Sequence, residues 1–433
     1  MTATGPYQGY VYAYPHKTAY RPLDPRPALR DVWAEEDLGA LFLYLHVLFC
    51  EMRCGFCNLF TRTGAPETLT SAYLDALERQ ATAVQGALGS LGEASFATAA
   101  IGGGTPTYLT APELSRLCDI AERFTDLRAV PLAVETSPAT ATTDRLAVLA
   151  ERGTTRISIG VQSFLDEEAR AAVRPQKRAE VEAALDRIRA VGFRTLNIDL
   201  IYGIDGQTPE SWLVSLDAAL RWEPEELYLY PLYVRPLTGL GRRAADWDDQ
   251  RMRLYLTGRD HLLERGYEQV SMRMFRRRGH TDSGTSTEYC CQTDGMIGLG
   301  AGARSYTGGL HYSFDYAVEA RHVRGIIDDY LREPDFDVAH VGFVLDEEDR
   351  RRRHLIQSLL QVSGLDRAAY VARFGGDVLG HFPELLAFAE RGWLEEHPDV
   401  LRLTAEGLAY SDTIGPALFS ARVRALMDAY EVR

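Results

Sequence analysis

The sequence predicts a parallel α/β fold in which six strand-then-helix units curl into a partial (β/α)6 barrel. Three observations lead there. Apolar, β-branched runs alternate with helical stretches between about residues 41 and 265. The gaps between those runs are long enough for crossover helices, and such crossovers between parallel strands are right-handed. The chemically unusual residues fall just after the strands, at the rim where parallel α/β folds gather function. A doubly wound open sheet is the alternative that satisfies the same pattern.

Strands are expected at 41–47, 96–101, 132–135, 156–160, 195–201 and 227–233. Helices are expected between them at 71–88, 111–124, 143–152, 178–191 and 209–222, with a sixth at 247–265. Pro112 and Pro209 suit first-turn positions, where the missing N–H costs nothing, and Gly153 and Gly192 sit where left-handed C-terminal caps belong. Residues 1–40 hold Tyr7, Tyr10, Tyr12, Tyr14 and Tyr20 and read as a strap packed on the barrel, with a lid over the substrate as the alternative. Residues 266–340, rich in Gly, Tyr and Arg, are expected to form an extension of the barrel that faces the substrate. Residues 341–433 read as a small helical domain ending in a hairpin of winged-helix character.

Composition narrows the function. The 433 residues carry 47 Lys+Arg against 61 Asp+Glu, a net charge of −14, which argues against a general binder of nucleic acid or anionic membrane. Residues 341–433 hold 11 Arg against 15 Asp and Glu, so the Arg350–Arg353 run is expected to be a solvated helix face. At 46% hydrophobic the chain can bury a sizeable core. Its longest apolar run, 41–49, contains His46 and falls well short of the roughly 18 residues of a bilayer span. No secretory or transit pattern opens the sequence, and a cytoplasmic protein is expected.

Six cysteines are too few for a disulfide scaffold. Cys50, Cys54 and Cys57 fall within eight residues, on the loop leaving the first strand. Three thiolates fit a 4Fe-4S cube with one iron left open. They also fit a zinc site completed by His46 or by the Cys290-Cys291 pair. Around the same rim stand the turn Gly102-Gly103-Gly104-Thr105, then Glu135, Gln162 and Asp199.

The run Tyr44 to Cys50 with its CxxxCxxC spacing resembles the signature of the radical S-adenosylmethionine (SAM) superfamily, and more narrowly its oxygen-independent coproporphyrinogen III oxidase branch, which includes haem chaperones. GGGTPTYL at 102–109, RISIGVQSF at 156–164, NIDLIYG at 197–203, GLGAGARSY at 298–306 and LRLTAEGL at 401–408 carry the same resemblance in order. It implies a TIM-like radical SAM core and a C-terminal domain of that branch. It also implies a 4Fe-4S cluster on Cys50, Cys54 and Cys57, and one or two SAM molecules. The implied chemistry is reductive cleavage of SAM to a 5′-deoxyadenosyl radical that takes hydrogen from a small-molecule substrate, with a tetrapyrrole as the candidate. Reduced flavodoxin or ferredoxin would supply the electron. By the resemblance, Tyr44, Gly103 and Glu135 contact the cluster-bound SAM, while Phe56, Gly104, Thr105, Gln162, Arg174 and Asp199 match positions for a second. Alternatives on this scaffold are a haem carrier and a two-SAM methyltransferase or cyclopropanase.

Two departures stand out. Leu48 replaces a usual proline before Phe49-Cys50. At the position where haem chaperones of the branch carry histidine patterns, this chain has Thr285 to Tyr289, then Cys290-Cys291, and later Arg304 in place of histidine. Cys290, Cys291 and Arg304 are therefore the candidate substrate-side residues, with Arg304 and the Arg276–Arg278 run as candidate partners for carboxylates.

Overall fold

The computed structural model describes residues 5–234, 240, 247–281 and 290–431. Six parallel strands run in chain order through the middle of one large sheet: β1 (Leu41–Val47), β2 (Phe96–Gly103), β3 (Leu132–Thr136), β4 (Thr154–Gln162), β5 (Thr195–Tyr202) and β6 (Glu226–Pro231). Each is followed by a helix, in order α1 (Glu67–Gly89), α2 (Ala111–Ala121), α3 (Thr143–Glu151), α4 (Arg178–Val191), α5 (Pro209–Leu220) and α6 (Asp248–Glu264). Local chemistry accounts for their ends. Thr110 and Glu113 close a capping box before α2, Thr208 accepts from the Ser211 amide before α5, and Gly192 ends α4 at φ +81°.

The partial barrel is present, and the sheet continues beyond the six expected strands. The antiparallel hairpin β7 (Tyr267–Gln269) and β8 (Met274–Arg277) is added beside β6. On the other side, β9 (Met296–Leu299) pairs parallel to β1 and leads into the antiparallel strands β10 (Arg304–Tyr306), β11 (Leu310–Ser313) and β12 (Val341–Val344). A short strand, Arg21–Pro22, ends that edge. The thirteen strands run in linear order from this strand to β7, so the barrel is open.

Period-two patterning orients the strands. Leu41, Leu43, Leu45 and Val47 of β1 are buried in the main core, which sets Tyr44 and His46 together on the opposite face. Past α7 (Ala320–Arg332), a second apolar core gathers Phe343, Leu355, Ile356, Tyr370, Leu401 and Ile414 from the C-terminal region, including α8 (Glu347–Leu359) and α9 (Arg367–Phe374). Tyr14 and Tyr20 of the N-terminal segment belong to this core.

The strap is built on tyrosine–arginine contacts. Tyr7 lies 4.3 Å from the Arg251 guanidinium, Tyr10 4.0 Å from that of Arg273, and Tyr12 4.7 Å from that of Arg304. Arg273 also meets Asp412 at 2.5 Å, and the Tyr233 hydroxyl donates to the same carboxylate at 2.5 Å. The Asp412 carbonyl accepts from the amides of Gln8 and Gly9. Strap, barrel and C-terminal region thus converge on one buried ion pair. Burial works against the Arg273 charge, but Asp412, Tyr10 and Tyr233 outweigh it and hold the guanidinium above its ordinary range.

No helix among the described residues is long and apolar enough to cross a membrane.

Removing one member of a buried ion pair strands the other without compensation, at a cost of about 3–5 kcal/mol. Asp412→Ala should therefore lower the calorimetric unfolding midpoint by several degrees. Asp75→Ala, which removes a partner of Arg116 on the surface, should cost about 1 kcal/mol or less.

Candidate functional site

The cysteine loop leaves β1 through Leu48 and is held from two sides. On one side, Phe49 and Cys50 form a short parallel ladder with Arg62 and Thr63. On the other, the amide of Gly55 donates to the Ala172 carbonyl at 3.1 Å. The Leu48 departure leaves this arrangement ordered: the Leu48 carbonyl accepts from Arg62 N at 2.8 Å and its side chain is fully buried.

The turn after β2 locks the loop in place. Gly104 N donates to the Val47 carbonyl at 2.6 Å and Thr105 N to the Phe49 carbonyl at 2.7 Å, while the Thr105 hydroxyl lies 3.6 Å from Cys50 Sγ. A Cβ on Gly104 would sit 2.6 Å from the Phe49 oxygen and 2.9 Å from Cys50 Sγ. Gly103 has φ +115°, and a Cβ there would meet the His46 ring at 2.5 Å. Its amide donates to Glu135 Oε2 at 2.9 Å. The glycines therefore serve close backbone approach to the loop, to His46 and to Glu135 at once.

Among the described residues, no three His, Cys, Asp or Glu side chains are gathered into a metal-binding group. The donor set nevertheless suits an anionic thiolate site. Arg174, only 8% exposed, donates from Nη1 to Cys54 Sγ at 3.0 Å, Thr105 reaches Cys50, and the Leu59 amide and Thr61 hydroxyl face Cys57, so each of the three sulfurs has a hydrogen-bond donor beside it. Burial pushes the Cys50 thiol up to about 12 and raises that of Cys57. His46 is not placed as a fourth zinc ligand. Its ring contacts the Tyr44 hydroxyl at 3.2 Å and the Phe60 carbonyl at 3.4 Å, packs against Gly103 and Gly302, and is held neutral by burial, at about 4.

Beside the loop opens a cavity of about 540 Å3. Tyr44, Gly103, Glu135 and Arg304 line it, with Leu59 and Phe60 from the chain just past Cys57. Lys17, Tyr20 and Arg21 of the strap and Tyr430 near the C-terminus form further wall. The segment expected as a strap is thus also part of the cavity lining. Burial within the surrounding protein pushes the Glu135 carboxyl up to about 7, against the opposing effect of the Gly103 amide, although the side chain remains accessible from the cavity.

The residues matched to a second SAM stand outside this lining. Gly104 and Thr105 pack on Cys50. Phe56 packs near Ala172, Ile201 and Leu232. Gln162, at φ +70°, lies against Gly160, whose carbonyl accepts from Arg174 Nη2 at 2.7 Å. Asp199 accepts from Asn197 at 2.8 Å and is pushed up to about 6 by burial. Arg174 is no surface charge: beyond Cys54 and Gly160 it also donates to Gln176 at 2.9 Å.

The substrate-side candidates separate. Arg304 lines the cavity beside Tyr12, with Nη1 buried and without a geometrically sound hydrogen bond among the described residues. Cys290 and Cys291 do not line it: Cys290 caps the short helix Cys291–Asp294 and its Sγ touches the Gln357 side chain, while burial raises Cys291 to about 12. Thr285 to Tyr289 lies outside the described residues. The Arg276–Arg278 run is not at the site, because Arg276 and Arg277 pair with Glu226 and Glu225 at the opposite, amino-terminal end of β6. Sequence reasoning missed the pair between the half-buried Arg156 and the buried Glu226, 2.8 Å apart. A charge inside the apolar run of β4 was its visible signal.

Residues 44–219 match the radical SAM superfamily model, and residues 345–410 match the HemN C-terminal domain. The heme chaperone HemW of Bacillus subtilis is 28% identical over 375 residues, covering 84% of this chain and 95% of that protein. The oxygen-independent coproporphyrinogen III oxidase of Escherichia coli is 28% identical over 389 residues, covering 85% of this chain and 82% of that enzyme. The solved structure of coproporphyrinogen III oxidase (HemN) from Escherichia coli, described as a radical SAM enzyme, superposes with a TM-score of 0.78 over 98% of both chains at 24% identity, a likeness of fold.

Gly104→Ala should displace the cysteine loop and reduce iron bound after anaerobic reconstitution to less than half of the unsubstituted level, with the far-ultraviolet circular dichroism retained. Gly86→Ala, where a Cβ meets nothing within 4 Å on a helix, should leave iron content unchanged and add about 0.5–1 kcal/mol of stability.

Proposed function

Because this chain carries a radical SAM domain followed by a HemN C-terminal domain, we propose that it is a radical SAM enzyme acting on a small molecule that bears a carboxylate. The observation that carries this reading is the cavity beside the three-cysteine loop, with Glu135 and the buried Nη1 of Arg304 in one lining. Cys50, Cys54 and Cys57 would hold a 4Fe-4S cluster. When bound, that cluster and SAM supply one-electron cleavage of a carbon–sulfur bond and hence hydrogen abstraction.

The chain's own residues have separate tasks. Glu135 offers a carboxylate to the ammonium of SAM, and the Gly103 backbone keeps that carboxylate aimed. Tyr44 shares the wall and orients its hydroxyl through His46. Arg304 provides the fixed cation for a substrate carboxylate, and Tyr12 backs its guanidinium at 4.7 Å. Strap and C-terminal residues on the same cavity limit the entry of water. Arg174 and Thr105 offset thiolate charge on Cys54 and Cys50.

A haem carrier is the second reading, favoured by the similarity to HemW over 84% of the chain. Arg304 weighs against it, since a guanidinium offers no lone pair to iron.

The test is anaerobic incubation of reconstituted protein with SAM, a strong reductant and coproporphyrinogen III. The reading predicts 5′-deoxyadenosine together with an altered tetrapyrrole, and at least a tenfold loss of the second product in Arg304→Gln. Stoichiometric haem binding with no 5′-deoxyadenosine would favour the carrier.

Glu135 adds a pH dependence. A carboxyl at about 7 is mostly protonated at pH 6 and mostly ionised at pH 7.5. SAM should therefore bind about fivefold to tenfold more tightly at pH 7.5, as measured by equilibrium dialysis, and Glu135→Gln should bind weakly and equally at both.

A further inference from the structure

The Arg350–Arg353 run does not behave as one solvated face. Arg351 pairs with Glu347, and Arg352 pairs with Glu348 at 2.7 Å and Glu384 at 3.0 Å. Among the described residues, Arg350 and Arg353 have no carboxylate within salt-bridge distance. Arg353 is 2% exposed and donates from Nη1 to the Thr307 carbonyl and to His311, each at 3.0 Å, leaving a buried Nε without an acceptor. Arg373, on α9, likewise has no carboxylate partner among the described residues and stands over the Phe374 ring at 5.6 Å.

These three arginines face one cavity of about 400 Å3 at the seam between the β10–β11 turn and helices α8 and α9. Thr293 and Gly308 form its barrel side, and His354 and Phe374 its helical side. The acidic groups nearby are engaged: Glu347 lines the cavity but pairs with Arg351, and Glu36 accepts from Gly308 N at 2.8 Å. Burial, then Arg373 and Arg353, hold His354 neutral at about 4, so it adds no charge but can hydrogen-bond. Burial lowers the Arg353 guanidinium to about 10; Arg373 and Arg350 add to that effect, while Cys290 and the Glu36 carboxylate oppose it without overcoming it.

Arg353 is a buried cation with no carboxylate against it among the described residues, the condition in which a counter-charge is favoured, and the exposed Arg350 and Arg373 extend the same positive lining toward solvent. Guanidinium groups also match the paired oxygens of phosphate and carboxylate. We propose that this seam is a binding site for a multiply charged small oxyanion, of phosphate or polycarboxylate class, held by Arg350, Arg353 and Arg373. The site is separate from the cavity that holds Glu135 and Arg304. An anion here bridges the barrel turn and the C-terminal helices, and α8 also carries Gln357, which touches Cys290.

Isothermal titration calorimetry on the full chain at constant ionic strength tests it, with sodium pyrophosphate and sodium citrate as separate probes. The expected result is saturable one-to-one binding of at least one probe, and the probe that binds more tightly assigns the class. Arg350→Ala with Arg373→Ala should weaken binding about tenfold or more, and Arg373→Glu alone should weaken it comparably. Both positions are exposed, so neither change opens the core. Arg332→Ala, on a different exposed helix face, should leave affinity unchanged. Absence of saturable binding with both probes, or equal affinity in the Arg350/Arg373 variants, would overturn the proposal.

Discussion

The turn at Gly102-Gly103-Gly104 is the constraint on which the rest of the site depends. Four different groups must approach this short stretch of backbone: the Glu135 carboxylate at Gly102 and Gly103, the His46 ring at Gly103, and the Phe49 carbonyl and Cys50 sulfur at Gly104. Any side chain there would displace one of them. The turn therefore couples the cysteine loop after β1 to the carboxylate at the end of β3, although these come from different parts of the chain. It relies in turn on β1, β2 and β3 lying side by side in parallel register.

A second organising theme is how an acidic protein places its arginines. Arg156, Arg273 and Arg353 are each set in the interior, and each has a different solution. Arg156 has Glu226, Arg273 has Asp412 together with the Tyr10 face, and Arg353 has a carbonyl and an imidazole. Where a carboxylate is supplied, the arginine is structural. Where no carboxylate pairs with the arginine among the described residues, as at Arg304 and Arg353, an adjoining cavity leaves room for a ligand to provide one.

Much of the barrel was legible because its signals are local. Proline at helix starts, glycine at helix ends and runs of strand-forming residues lie within a few positions of the elements they define, so β1 to β6 and their helices follow from the sequence. The strand β9 was not legible, since its pairing with β1 joins segments far apart in the chain and leaves no local period. The cysteine loop and the glycine turn were readable as motifs, but the physical reason for Gly103 and Gly104 emerged only with His46 and Cys50 in view. Arg273 and Asp412, 139 residues apart, carry no sequence signal of their partnership. The Arg276–Arg278 run misled for the same reason: charge was visible, but its partners Glu225 and Glu226 were not.

The central claim is that Cys50, Cys54 and Cys57 hold a cluster with one iron left free for SAM, at a cavity where Glu135 receives the ligand's ammonium. The most direct measurement is electron paramagnetic resonance of the anaerobically reconstituted, dithionite-reduced protein before and after addition of SAM. The account predicts a reduced 4Fe-4S signal whose shape changes on SAM addition, and no such change in Glu135→Gln at the same SAM concentration. A protein that takes up zinc and no iron, or a cluster signal indifferent to SAM, would contradict it.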